Sequence, residues 1–209
     1  MAVTDAYATA VEYRSRTGQS DATDTTLLDA LLAAVSRIID RECERFFGID
    51  AAVVVRLYEG NGLTRLYIDD VATVTGLIVK ADLDGDYDFD GADETLTKDT
   101  NYWIGPANAA LGSEVSAYRF LDIVPANSVL SVWPSGLRKV QVTAKFGWAV
   151  VPPAIKEATI LVTREMKELE KAGFTLTLEN IDQGINLSPA AFSLIQRIKA
   201  EYGRRRLFV

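Results

Sequence analysis

The stretch with the most chemistry in it is Asp82-Leu83-Asp84-Gly85-Asp86-Tyr87-Asp88-Phe89-Asp90-Gly91-Ala92-Asp93-Glu94. Counted from Asp86, it places Asp86, Asp88, Asp90 and Gly91 at the first, third, fifth and sixth positions of a calcium loop. Hard carboxylate oxygens at alternate positions, then a glycine for the sharp turn, are what calcium requires. With Asp84 just before them, the candidate cation ligands are Asp84, Asp86, Asp88 and Asp90. The pattern breaks at the twelfth position, where Thr97 cannot supply the bidentate carboxylate. The flanks also read as strands and not as the two helices of an EF-hand. Two readings stand side by side: a calcium site, favoured by the mutual repulsion of the carboxylates, and a solvated acidic loop between strands, favoured by the broken pattern.

Other chemistry is sparse. The chain has no histidine, which removes the commonest general base, the usual zinc ligand and every histidine-containing triad. There is no nucleophile elbow, phosphate loop or dinucleotide glycine pattern. Asp5, Asp69, Asp70 and Asp122 offer carboxylates, but nothing marks a close pair among them. An enzyme is therefore the weakest reading, and none is expected. The single cysteine, Cys43, excludes an internal disulfide and suggests an intracellular origin. It falls on the apolar face of a helix, where a small buried hydrophobe is expected. Trp103, Trp133 and Trp148 lie in or at the end of strand candidates, which favours core filling over a stacking platform for a base or sugar. The one basic cluster is Arg204-Arg205-Arg206, followed by Leu207-Phe208-Val209. A frayed terminus is the bland reading. Arginine suits phosphate or carboxylate recognition, and apolar residues are costly to leave in water at a free end, so a docking role stands against it.

The elements that would position these residues follow from periodicity. A chain of 209 residues suits one domain with an insertion, or two small ones. It is 48% hydrophobic and 24% charged, enough to bury a core. No basic patch followed by an apolar run opens it, so no secretory signal is expected, and no apolar stretch is long enough for a bilayer. A first helix is expected from Thr4 to about Arg16, with Tyr7, Ala10, Val11 and Arg14 on one face. A second runs from near Asp24 to Phe47, with a wide stripe of Leu28, Leu31, Val35, Ile38 and Phe46. The period then changes to two. Val53–Tyr58 and Leu63–Ile68, joined by Glu59-Gly60-Asn61-Gly62, read as a hairpin. Further strands are expected at Val74–Lys80, Tyr102–Ile104, Tyr118–Val124, Val129–Trp133 and Lys139–Trp148. That set suits a small sandwich or barrel. A helix follows from Pro153 to about Ala172, then an alternating Phe174–Leu178, either a short strand or an extended arm, and a loop over 180–186. A last helix opens at Ser188-Pro189 and runs to about Tyr202, with Phe192, Ile195, Ile198 and Tyr202 on one face.

One stretch carries a resemblance. Phe146-Gly147-Trp148-Ala149-Val150-Val151-Pro152-Pro153-Ala154-Ile155-Lys156-Glu157-Ala158 is the end of a strand followed by a proline-stiffened helix start. It resembles the head–tail connector (adaptor, or head-completion) proteins of long-tailed double-stranded DNA phages. The segments from Leu27 to Ala34 and on to Arg45-Phe46-Phe47-Gly48 are similar to that family's early helix, and the short last helix with its basic tail fits the same order.

The resemblance implies an α+β fold. Residues 1–50 and 149–209 would form a helical connector part and 51–148 a β-rich insertion. It implies a structural virion protein: a ring, dodecameric like the portal, docked beneath the portal in the neck of a particle assembled in the host cytoplasm. Genomic double-stranded DNA would pass through without sequence recognition. The segment 188–209 would reach the portal, with Phe192, Ile195, Arg197, Lys199, Tyr202, Arg204, Arg205, Arg206, Leu207 and Phe208 as docking residues. The next partner below would be a stopper or another neck or tail protein. A net charge of -7 fits a channel wall that does not grip phosphates. The rival readings are a stopper or tail-completion protein, and a calcium-dependent binding module.

Overall fold

The computed structural model describes residues 6–19, 25–91, 93–109, 116–125, 129–171 and 188–204. Among them are four helices, α1 (Ala10–Thr17), α2 (Thr25–Cys43), α3 (Pro153–Lys171) and α4 (Pro189–Tyr202). There are six strands, β1 (Val54–Gly60), β2 (Arg65–Ala81), β3 (Thr95–Leu96), β4 (Tyr102–Gly105), β5 (Tyr118–Ile123) and β6 (Gly136–Phe146). The fold is α+β, with helices flanking a β-rich region. Two compact units result: a helical one from residues 1–47 and 151–209, and a sheet unit from 48–150.

In the helical unit, α1 begins later than its apolar spacing suggests. Thr9 is the N-cap: its hydroxyl accepts the Glu12 N–H (3.2 Å), and the Glu12 carboxylate accepts the Thr9 N–H (2.8 Å). This reciprocal capping box fixes the start at Ala10. Tyr7 therefore precedes the helix, and Val11 is 73% exposed, while Ala10 and Tyr13 turn inward. The expected caps Thr4 and Asp5 lie outside the described residues. Helix α2 buries Leu28, Leu31, Leu32, Val35, Ile38, Ile39 and Cys43. It stops at Cys43, short of the expected Phe47, because Glu44 takes a left-handed φ of 51°. Phe47 then turns back into the core, and its N–H donates to the Tyr7 hydroxyl (2.8 Å). Helix α3 opens at Pro153, with the Pro152 carbonyl accepting the Lys156 N–H (3.1 Å), and buries Ile155, Ala158, Val162 and Met166. Ala8, Ala10 and Tyr13 meet Leu28 and Leu32 of α2 and Ile160 of α3 in one cluster.

The sheet unit is one antiparallel sheet in the order β1-β6-β2-β5-β4, with β3 on β2. The expected hairpin between Val53–Tyr58 and Leu63–Ile68 is not formed, since β6 lies between β1 and β2. The Asn61-Gly62 turn itself exists: Asn61 accepts the Leu63 N–H (3.0 Å) and donates to the Arg65 carbonyl (2.8 Å), and Gly62 has φ 68°. It joins strands that are not neighbours. The cause is the length and bend of β2, which absorbs the separately expected Val74–Lys80 strand. Its first half pairs with β5 and its second with β6, with register shifts between. Thr73, whose hydroxyl accepts the Thr75 N–H, and Gly76 at φ 78° make the bend. Both halves therefore face one core, where Leu66, Ile68, Val79 and Ala81 meet Leu121, Trp133, Val140, Val142 and Phe146. The expected strand at Val129–Trp133 is absent: Val129 and Val132 face solvent, and only Trp133 is buried. Its N–H donates to Leu63 (2.9 Å) and its indole to the Leu121 carbonyl (3.3 Å).

Candidate functional site

Two places hold the residues singled out by sequence, the acidic loop and the last helix. A third, the Phe146-Gly147-Trp148 turn, explains the stretch that carries the resemblance. Gly147 has φ 106°, and a Cβ there would stand 1.9 Å from the Gly48 carbonyl oxygen, so no side chain fits. Its N–H donates to the Asp70 carbonyl (2.7 Å), and the Trp148 N–H donates to the Gly48 carbonyl (2.7 Å). The Trp148 indole donates to the buried Asp70 carboxylate (3.1 Å). Asp50 and Phe146 are likewise joined, the Asp50 N–H to the Phe146 carbonyl (2.9 Å) and the Phe146 N–H to the Asp50 carboxylate (3.2 Å). The chain thus enters and leaves the sheet unit along two strapped segments.

The acidic loop follows β2. One carboxylate oxygen from each of Asp82, Asp84, Asp86 and Glu94 lies within 4.8 Å of the others. Asp84 and Asp86 belong to the set marked by spacing. Asp88 and Asp90 do not join the cluster, whose other members, Asp82 and Glu94, are both buried. The alternating aspartates build turns instead. Asp84 accepts the Asp86 N–H (3.3 Å), Asp86 the Asp88 N–H (3.1 Å) and Asp88 the Asp90 N–H (3.1 Å). Glu94 accepts from the Leu83 (3.3 Å) and Gly91 (2.9 Å) N–H groups.

A cation from the chain itself stands at the cluster. The Lys139 ammonium, on β6, is hydrogen-bonded to Asp82 and lies 3.9 Å from the Tyr87 ring centroid. Its hydrogen bond holds the Asp82 carboxyl below the usual carboxylate range against the opposing effect of desolvation, and the Gly85 N–H (2.7 Å) adds to it. The same bond raises Lys139. At Asp88 the Asp90 N–H favours the charged form, but desolvation and the charges of Asp86 and Asp90 outweigh it and leave the carboxyl raised. Lys80 donates to the Phe89 carbonyl (2.5 Å) and ties the loop's middle to β2. Sequence spacing marked Asp84 and Asp86 of this cluster but not Asp82, Glu94 or Lys139, which the fold brings alongside.

Helix α4 is pinned at both ends. Ser188 caps its start by accepting the Ala191 N–H (3.3 Å), and the Ser188 N–H and hydroxyl both donate to the Glu165 carboxylate of α3. At the far end the Arg45 guanidinium donates to the Tyr202 carbonyl (2.9 Å), and the Arg204 N–H donates to the Cys43 carbonyl (2.9 Å), the last residue of α2. Tyr202 also meets Phe47 edge-on, with ring centroids 5.9 Å apart. Burial pushes the Cys43 thiol up to about 11, which keeps it protonated and inert.

Of the docking candidates, Phe192 (57%), Arg197, Lys199 and Arg204 are exposed. Lys199 pairs with Glu42 (3.2 Å), Tyr202 is half-buried, and Ile195 is buried in the unit's own core with Ile198 and Ala191. Of the apolar face read from periodicity, α4 turns Ile195 and Ile198 inward, while Tyr202 is half-buried and Phe192 faces outward. Arg205, Arg206, Leu207 and Phe208 lie outside the described residues, as do Phe174–Leu178 and the loop over 180–186. Glu165 and Arg45 are the positioning residues that sequence did not mark.

No family model and no curated protein matches this chain. Among solved structures, a chain of the "Neck of empty GTA particle computed with C6 symmetry" aligns over 100% of this chain and 96% of its own length, with a TM-score of 0.55 and 15% identity. The two share a fold. The likeness runs from end to end, so it takes in the helical unit, the sheet unit and α4 alike. No described helix is long and apolar enough to cross a membrane.

Proposed function

We propose that this chain is a structural, non-enzymatic protein in the neck of a phage-like particle, and that within the neck it is the head-to-tail adaptor. The observation that carries this reading is the end-to-end fold likeness to a chain of a gene transfer agent neck. Copies form a ring beneath the portal, extend the DNA channel and offer a surface to the next neck or tail component. Twelve copies fit sixfold symmetry as six pairs. Ring contacts are heterologous, one face of a copy meeting a different face of the next. The adaptor role draws support from α4, fixed at both ends, with Phe192 and Arg197 outward and a run of arginines directly beyond. The net charge of -7 leaves the DNA free to slide.

Electron microscopy of the purified chain, alone and mixed with the portal encoded beside it, tests the reading. A ring stacked coaxially on the narrow end of the portal is the expected result. A ring that ignores the portal but caps a preformed adaptor would make it a stopper instead, and a chain that remains monomeric in both samples sinks the neck reading.

A further inference from the structure

The ends of α2 and α4 are joined reciprocally, and this pairing has a directional consequence. Each helix finishes with unsatisfied carbonyls and the negative end of its dipole. Here each caps the other: the chain just past α4 supplies the Arg204 N–H to Cys43 of α2, and the chain just past α2 supplies the Arg45 guanidinium to Tyr202 of α4. Arg204 is the first residue of the basic triplet, and that backbone hydrogen bond ties it to α2. Phe47, edge-on to Tyr202 and donating its N–H to the Tyr7 hydroxyl, braces the same spot from the side. Glu165 holds the opposite end of α4 through Ser188.

We infer that this junction is a clamp that fixes the end of α4, up to Arg204, for docking, with Arg45 as its positioning residue. The inference rests on the portal-docking role proposed above. A helix end held in place loses less freedom on docking than a frayed one, so the clamp raises affinity without touching the partner. A planar guanidinium bonded to a carbonyl suits this better than a flexible ammonium, because less order is lost in forming the bond.

The test uses the full chain with Arg45→Met and Arg45→Lys, and a chain ending at Arg204. Amide hydrogen exchange at Arg204 reads the clamp without any partner, and binding to the purified portal ring reads its consequence. Arg45→Met should speed exchange at Arg204 roughly tenfold and weaken portal binding by a similar factor, as expected for loss of a charge-assisted bond. Helix content should be unchanged, and Arg45→Lys should restore most of both. Unchanged exchange at Arg204 in Arg45→Met overturns the clamp. Unchanged portal affinity in Arg45→Met, when the chain ending at Arg204 has lost it, overturns the positioning role. If the shortened chain binds the portal normally, the docking reading fails instead, and faster exchange in Arg45→Met still establishes the clamp.

Discussion

The two units use their polar side chains differently. In the sheet unit the central polar contacts are buried and bind the chain to itself, Asp82 with Lys139, Asp70 with Trp148, Glu94 with two backbone N–H groups, while pairs such as Arg65–Asp122 and Lys98–Asp99 lie nearer the surface. In the helical unit most ion pairs lie at the surface, as in Arg16–Glu157, Lys156–Glu12 and Lys199–Glu42. The difference teaches that charge density is a poor guide to a binding site. The acidic loop, the most chemical stretch by composition, directs much of its charge into its own turns and onto Lys139. The end of α4 keeps exposed groups and is held in place at Tyr202 and Arg204.

If the sheet unit depends on its internal contacts, its crossing should be the most sensitive point. Gly147→Val places a β-branched side chain at φ 106° and drives its Cβ into the Gly48 carbonyl. The expected cost is about 4 kcal/mol or more, enough to unfold a marginal unit. Urea denaturation followed by tryptophan fluorescence would show it, and a loss below about 1 kcal/mol would break the comparison at its strongest point.

The Asp82–Lys139 pair comes next and gives a pH signature. Asp82 is depressed in the folded state, so its contribution is present above the ordinary carboxylate pKa of about 3.9 and is lost as pH falls through its folded value. Lys139 is raised, so its contribution is full below about 10.4 and is lost as pH rises through its folded value. The urea midpoint should therefore fall at both extremes, and Asp82→Asn and Lys139→Met should flatten the profile. A profile unchanged by either substitution would show that the pair is idle. Calcium sharpens the same point. At about 1 mM, the weak end of calcium-module affinities, it should leave the melting temperature of the unaltered chain where it was, whereas Lys139→Met frees the carboxylates and should gain calcium-dependent stability. A clear shift in the unaltered chain would favour the calcium reading.

The helical unit has a buried polar knot around Tyr7, and breaking it should cost less. Tyr7 donates to Asp40 and accepts from the Phe47 N–H. Burial and the hydrogen bond to Asp40 raise its hydroxyl well beyond the ordinary range, so it stays a donor at every workable pH. Tyr7→Phe should lower stability by about 1–2 kcal/mol by leaving the Phe47 N–H without that acceptor and removing a donor from Asp40. No change in the urea midpoint would mean that water or another group replaces the hydroxyl.

The same contrast decides what was legible in the sequence. Helices α2 and α3 are readable because each buries one side over several turns, and that imprints a period of three to four on Leu28, Leu31, Val35 and on Ile155, Ala158, Val162. The start of α1 was misplaced because hydrophobic spacing extends through Tyr7, whereas the boundary is set by the Thr9–Glu12 hydrogen bonds. Strand pairing was illegible for a different reason. Asn61-Gly62 specifies a turn, but the partner of each strand depends on the bend of β2 at Thr73–Gly76 and on β6, which lies more than fifty residues away from both β1 and the bend. The alternating aspartates were visible as a pattern, yet the lysine that meets them comes from that distant strand. Arg45 and Glu165 were invisible as site residues because their roles lie in contacts between helices.

The exposed ion pairs supply the smallest expected effect and the finest test of the contrast. Arg16 meets Glu157 at 2.7 Å, but the two side chains are 58% and 39% exposed. Each gives up conformational freedom to hold the geometry, and salt screens what attraction is left, so Arg16→Ala should change stability by no more than about 0.5 kcal/mol. Glu12 offers a control on the same helix, because Glu12→Gln removes the charge facing Lys156 (2.7 Å) while its amide oxygen still accepts the Thr9 N–H of the capping box. Both substitutions should lie within error of the parent in 0.5 M salt, measured as urea midpoints. If Arg16→Ala instead costs more than about 1 kcal/mol and the cost persists in salt, then α1 is held to α3 by charge as the sheet is, and the division between inward and outward polar contacts does not follow the two units.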